Sequence, residues 1–224
     1  MTGIMRNKLF IDKTHCLTAS LSYDPADAIG RLGGNAPACF DAQEVDPVHR
    51  YSFYLTVTHP LTPEKMISVF IPYRFDLYNQ NNIYPTCAIK VFTHEHSPES
   101  TSDKYLMMPE EPEIKKTKYQ KEKDYSKPLL KKSYISSYKL HNSATVPEGE
   151  SFFVQTGGEP FWIQGSSHYR RDLEADGYQY FMYIDEWGYL EDSVDGNMPL
   201  CFGGLYLDGR DDFSDIIAGF WQST

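Results

Sequence analysis

Tyr51-Ser52-Phe53-Tyr54-Leu55-Thr56-Val57-Thr58 decides the fold class. It interleaves aromatic and branched side chains with small hydroxyl residues, which suits a pleated strand, and it stops at His59-Pro60. Runs of the same kind recur at 66–73, 86–93, 151–155, 178–185 and 200–207. Turn chemistry separates them at Asn79-Gln80-Asn81-Asn82, Asp176-Gly177, Asp195-Gly196-Asn197 and Asp208-Gly209. Helical signals are few: Asp24-Pro25 through Gly30 reads as one short capped turn, and Thr62-Pro63-Glu64 as another. The expectation is a β-rich α+β protein of mostly antiparallel sheets with few short helices.

The chain has 224 residues, 41% of them hydrophobic, and 17 Tyr, 13 Phe and 3 Trp. That composition builds a packed core and excludes a disordered chain. No apolar run approaches the roughly 20 residues of a membrane-spanning helix. The first residues lack the apolar core of a secretory signal before charge returns at Lys8, Asp12 and Lys13. A cytoplasmic protein is expected, without membrane association. The four cysteines, Cys16, Cys39, Cys87 and Cys201, show no paired spacing, so they are expected reduced, with no zinc site and no cofactor.

The formal net charge is −10, and its distribution is uneven. Residues 150–224 hold three basic side chains (Arg170, Arg171, Arg210) against fourteen acidic ones, a net of −11. Such a segment repels a phosphate backbone, which argues against nucleic acid, and attracts a basic protein. Residues 95–133 differ in character, with nine lysines between Lys104 and Lys132 and few apolar anchors. They read as a polar, Lys-rich surface excursion or a loosely held helix between two halves, around 1–100 and 134–224, of a single domain. The halves echo each other loosely: Leu32-Gly33-Gly34-Asn35-Ala36-Pro37 precedes the strand at Tyr51, and Thr156-Gly157-Gly158-Glu159-Pro160 precedes the one at Tyr178.

The most distinctive run is Gly157-Gly158-Glu159-Pro160-Phe161-Trp162-Ile163-Gln164. Paired glycines permit a turn at positive φ, proline fixes the exit, and Phe161, Trp162 and Ile163 read as the start of a buried strand. Gly157, Gly158, Pro160, Trp162 and Gln164 are therefore scaffold, with Gln164 placed to satisfy backbone groups. This run resembles the Gly-Gly-x-Pro-x-x-Ile-Gln segment of the YwqG-like family of β-rich bacterial proteins. Gly33-Gly34-Asn35-Ala36-Pro37 is similar to that family's earlier motif with one extra residue. Trp187-Gly188-Tyr189, Phe202-Gly203-Gly204-Leu205-Tyr206 and Phe220-Trp221-Gln222 are similar to its closing segments. The resemblance covers about residues 30–60 and 145–224. It implies an immunity protein that binds a cognate bacterial toxin and blocks its active site. The acidic last third fits that role independently, since a nuclease-type toxin must present a basic surface to phosphate.

Catalytic signatures are sparse. His94 and His96 would share one face of a strand and could share a metal, although Ser97-Pro98 suggests a loop end. His15 and Cys16 are neighbours and would point to opposite faces. No Gly-x-Ser-x-Gly elbow, phosphate-binding loop or dinucleotide fingerprint is present. The segment Tyr189 to Gly196 carries Glu191, Asp192 and Asp195 beside Trp187 and Tyr189, the mix of aromatic anchor and charge found at tight interfaces. The expected partner-binding residues are Asp185, Glu186, Trp187, Tyr189, Glu191, Asp192 and Asp195, with Asp208, Asp211 and Asp212 in reserve. Trp162 and Trp221 are expected in the core. The competing readings are a metal-dependent hydrolytic enzyme using His94 and His96, and a small-molecule or peptide-binding module in the cleft between the halves.

Overall fold

The structure, a computed structural model, describes residues 3–109, 127–165 and 167–224. Its strands are β1 (Cys16–Ala19), β2 (Leu21–Ser22), β3 (Gly30–Leu32), β4 (Tyr51–Thr58), β5 (Lys65–Pro72), β6 (Lys90–Glu95), β7 (Ser133–Ile135), β8 (Lys139–His141), β9 (Val154–Thr156), β10 (Gln179–Asp185), β11 (Gly204–Gly209) and β12 (Ile216–Gln222). They form two six-stranded antiparallel sheets, sheet A in the order β12-β11-β10-β9-β1-β8 and sheet B in the order β2-β7-β3-β4-β5-β6. Among the described residues helix is limited to α1 (Gly3–Arg6), which continues as a π turn over Asn7–Ile11, then α2 (Phe75–Gln80), α3 (Ser167–Ala175) and single 3-10 turns. Among the described residues no helix is long and apolar enough to cross a membrane.

The two sheets are not two consecutive halves of chain. Residues 16–22 place β1 in sheet A and β2 in sheet B, and residues 133–141 place β7 in sheet B and β8 in sheet A. β1 pairs with β8 and β2 with β7, and the Ser136 N–H donates to the Ser20 carbonyl between them (2.9 Å). A single two-stranded ribbon thus runs from one sheet into the other. Elsewhere, Ile83 and Tyr84 cover the outer edge of β12, where the Tyr84 N–H donates to Gly219 (2.7 Å) and the Trp221 N–H to Asn82 (3.0 Å). Covering that edge removes a template for pairing with other chains.

The main core lies between the sheets and joins Leu55, Val57 and Ile67 of sheet B to Phe181, Met182 and Leu205 of sheet A. The outer faces are covered too. Phe40 and Tyr105 pack over Phe53 and Phe70 of sheet B, and α3 with the 159–165 segment packs over Tyr183, Tyr206 and Phe220 of sheet A. Trp162 stacks on Tyr206 there, ring centroids 5.1 Å apart. Sheets buried on both faces have no reason to alternate apolar with polar, which explains the near-continuous apolar runs of β5 and β10 and the burial of Ser52 and Thr56 in β4.

The echo between the halves has a geometric basis. β3 and β9 both run into Gly-Gly at positive φ, 65° and 76° for Gly33 and Gly34, 71° and 65° for Gly157 and Gly158. The first glycine of each pair donates its N–H to the residue at a bulge in the neighbouring strand, Gly33 to Tyr54 (2.8 Å) and Gly157 to Phe181 (3.4 Å). Two residues before each pair, one long side chain closes the turn. Arg31 donates to the Gly33 carbonyl (2.7 Å) and to that of Asn35; Gln155 donates to those of Gly157 (3.4 Å) and Glu159 (2.9 Å).

Several sequence expectations need correction. The 86–93 and 200–207 runs form strands only from Lys90 and Gly204, and Asp208-Gly209 ends β11 instead of making a turn. No strand begins at Phe161, whose side chain is 62% exposed. The Asp24–Gly30 stretch is a turn without helix, and α3 carried no recognised signal. Residues 110–126 of the Lys-rich stretch lie outside the described residues, while its flanks are packed, with Tyr105, Met107 and Leu130 buried.

The glycine turns give a differential prediction. A Cβ at Gly34 would meet the Glu99 carboxylate at 2.5 Å and the Lys132 stem at 2.9 Å, both ends of movable side chains, whereas one at Gly158 would collide with the fixed Ala144 carbonyl. Both Gly→Ala changes incur the left-handed backbone penalty of about 1–2 kcal/mol. Gly158→Ala should cost about 1–3 kcal/mol more, from forced backbone movement. Urea denaturation of the two variants measures the gap.

Candidate partner-binding site

β10 ends at Asp185 and the chain makes one 3-10 turn over Glu186–Gly188. Asp185 caps that turn by accepting the Trp187 N–H (3.0 Å), and burial nonetheless raises its carboxyl above the usual range. Gly188 admits no side chain, because a Cβ would collide with the Phe152 carbonyl. The turn therefore points successive side chains in fixed and opposite directions: Glu186 inward, Trp187 outward.

Glu186 has no exposed surface. Its Oε1 accepts the Leu200 N–H (2.8 Å) and the Tyr189 hydroxyl (3.2 Å), and its Oε2 accepts the Gly203 N–H (3.3 Å). The Tyr189 hydroxyl in turn lies 2.7 Å from that of Tyr54 on β4, so the set spans both sheets. Burial outweighs these donors and pushes the Glu186 carboxyl up to about 7.

The loop held by that carboxylate carries Cys201 and Phe202 at positive φ, 54° and 60°. Such a conformation costs a non-glycine residue of order 1–3 kcal/mol and persists only where its surroundings over-determine it. Phe202, 50% exposed, is thereby placed against Trp187, 64% exposed, ring centroids 5.8 Å apart. Two large aromatic rings on rigidly held loops, facing solvent, form a ready contact surface for another molecule.

The structure divides the other expected partner residues. Tyr189 is half-buried and acts as a support, while Glu191, Asp192 and Asp195 are exposed on the following loop. That loop is joined to the end of the Lys-rich stretch: the Lys131 N–H donates to Ser193 (2.9 Å) and the Asp195 N–H to Leu129 (2.8 Å). Asp192 and Asp195 consequently share the lining of a cavity of about 600 Å³ with Lys127, Lys131 and Lys132, which offset their charge.

Glu186 and Asp208, expected at the partner surface, are both in the interior, a correction that follows from their hydrogen-bond sets. Asp208 pairs with Arg170 at 2.7 Å and has no exposed surface; burial raises its carboxyl while Arg170 opposes the rise, and its Oδ2 has no partner. Asp211 and Asp212 do not join the Trp187 patch either. Asp185 stands opposite Gly204 and Gln179 opposite Gly209, so the two acids beyond Gly209 sit at the far end of the β10–β11 ladder. Six residues of strand separate the ends by about 20 Å. The negative charge of the last third is thus distributed over two ends of sheet A, not gathered in one field.

The residues expected as scaffold lie in and just after the second Gly-Gly turn, with Trp162 half-buried and Gln164 exposed. Pro160 is buried after Gly157 and Gly158, and Trp162 covers sheet A. The Gln164 N–H donates to Gln222 Oε1 (3.0 Å), its side-chain amide donates to Ser223 (2.9 Å), and it accepts the Tyr169 hydroxyl (2.8 Å). Trp221 is buried. His94 and His96 bind different groups, Ser68 Oγ (2.8 Å) and the Pro63 carbonyl (2.9 Å), and among the described residues no three His, Cys, Asp or Glu side chains gather as metal ligands would. Burial pushes the Cys16 thiol up to about 11, and His15 Nδ1 turns to Thr14 Oγ1 (2.9 Å). The signal for Glu186 was an acid directly after an aromatic strand, between neighbours that share the face opposite to its own.

No family model matches the chain, and no curated protein matches it.

Glu186 sets a pH dependence. Below the usual 4.5 its carboxyl is protonated in folded and unfolded chains alike; between 4.5 and about 7 only the unfolded chain releases the proton. Its contribution to stability is therefore complete below pH 4.5 and is lost as pH rises through about 7, a fall of about 3 kcal/mol. Glu186→Gln should flatten that slope in denaturation curves measured across the interval. Glu186→Ala, which leaves the Leu200 and Gly203 N–H groups without their acceptor, should cost about 2–4 kcal/mol.

Proposed function

We propose that this protein is a non-enzymatic binding protein of the immunity type, which captures a basic bacterial toxin in the cytoplasm and occludes its active site. The observation that carries the reading is the exposed Trp187–Phe202 pair, held in place by a buried carboxylate and a strained loop. Aromatic anchors that are ordered before binding lose little entropy on contact, which favours tight association. Asp185 and Glu191 flank the pair, and the net −11 of residues 150–224, although divided between two ends of sheet A, favours encounter with a cationic partner. The immunity role itself rests on the resemblance of the Gly-Gly-x-Pro segment. A small-molecule or peptide-binding module is a second reading, favoured by the 600 Å³ cavity beside Asp192, which lies within the usual range of ligand pockets.

The reading expects the neighbouring gene to encode a secreted protein that ends in a toxin domain, and the test uses that domain. The protein should form a complex with it and protect cells that express it. Trp187→Ala and Phe202→Ala should each weaken the complex about 30-fold or more without loss of folding. Glu191→Lys combined with Asp195→Lys should slow association several-fold and flatten its dependence on salt. Unchanged affinity in both aromatic variants would place the contact elsewhere, and absence of both complex and protection would end the immunity reading.

A further inference from the structure

Leu130 and Val194 form an antiparallel bridge, flanked by hydrogen bonds from the Lys131 N–H to Ser193 (2.9 Å) and from the Asp195 N–H to Leu129 (2.8 Å). The Tyr23 hydroxyl donates to the Glu191 carbonyl (3.0 Å) and pins the turn that precedes Val194. Two loops are thereby locked into one wall of the cavity of about 600 Å³, and Gly34 of the first glycine turn joins the lining. Leu106, Pro128, Leu130 and Val194 supply its apolar surface.

The charged groups of the lining are unequally committed. Asp192, held at φ 58°, and Asp195 are exposed, and among the described residues neither carboxylate has a hydrogen bond or an ion pair. Lys132 pairs with Glu99 (3.0 Å), and Lys127 is engaged as well. Lys131 rests over the Tyr23 ring, its Nζ 4.1 Å from the centroid, and among the described residues its ammonium donates to no acceptor. A ring face orients an ammonium and still leaves it hydrogens to donate to a ligand.

The placement of these groups narrows the ligand. Lys131 is held beside Tyr23 and Glu191 at the turn end of the bridge, whereas Asp195 leaves the bridge beside Leu129. Leu130 and Val194 lie between them. A matching ligand carries an ammonium and a carboxylate separated by an apolar body. A polyamine or an inorganic anion carries one sign only, and a free amino acid bears both charges on one carbon. An extended peptide of three residues separates its termini by about 10 Å. A body of that length suits a cavity within the usual range of ligand pockets.

We propose that this cavity binds short peptides of apolar residues whose two termini are free. The peptide ammonium meets Asp192 and Asp195, the carboxylate meets Lys131, and the side chains lie along Leu130 and Val194. This ligand class rests on the second functional reading above, that of a small-molecule or peptide-binding module.

The experiment measures binding of trileucine to the intact protein by calorimetry, beside its N-acetylated, C-amidated and doubly blocked forms, with amide chemical shifts locating the site. Trileucine should shift residues 128–132 and 192–195. Blocking either terminus should weaken binding about fivefold, since both charges meet partly exposed partners. Asp192→Asn combined with Asp195→Asn should remove the penalty of acetylation alone, and Lys131→Met that of amidation alone. Penalties that persist in these variants would overturn the proposal. Equal affinity for trileucine and its doubly blocked form, with shifts at these residues, would also overturn it and leave the module reading standing. No shift there with any of the four peptides would remove both.

Discussion

Glu186 gathers the Leu200 N–H, the Gly203 N–H and the Tyr189 hydroxyl around a carboxylate that water does not reach, and Tyr189 continues the set to Tyr54 on the facing sheet. A buried carboxylate without such partners would be destabilising by several kcal/mol. With them, it ties together the end of β10, the loop before β11 and one strand of sheet B. The exposed rings of Trp187 and Phe202 are positioned by this interior arrangement, not by contacts of their own with solvent-facing neighbours.

The arrangement depends on two sheets fixed relative to each other, and the crossing ribbon of β1, β2, β7 and β8 supplies that. Each of its two chain segments belongs to both sheets, so neither sheet can shift without disturbing the other's hydrogen bonds. The Gly-Gly turns closed by Arg31 and Gln155 repeat on both sheets at the ends of β3 and β9. Each turn directs the following segment over the outer face of its own sheet, which leaves loops at the strand ends as the available binding surface.

The sequence revealed β4, β5 and β10 well, because long runs of branched and aromatic residues bounded by turn residues have few other readings. β1, β2, β3, β7, β8 and β9 each have four residues or fewer, too short for any periodicity to emerge. Their pairing is also set by the crossing between sheets, which composition does not encode. At the site, Trp187 and its acidic flank were legible as a patch of charge and aromatic character. The burial of Glu186 and Asp208 was not, since an acid reads alike whether it faces water or buried hydrogen-bond donors. Arg31 and Gln155 share the position two before each glycine pair, a signal hidden by their different chemistry.

The charge asymmetry of the chain retains a more limited meaning. The acids of the last third divide between two ends of sheet A, some paired with lysine or arginine, so they favour encounter with a cationic protein while the aromatic pair supplies the anchor. Hydrogen–deuterium exchange of the protein, alone and with the neighbouring-gene toxin domain, tests that assignment most directly. Protection should rise over residues 185–203, where the two rings and their supporting loop lie. Protection confined to 208–215, or to strands of sheet B, would contradict it.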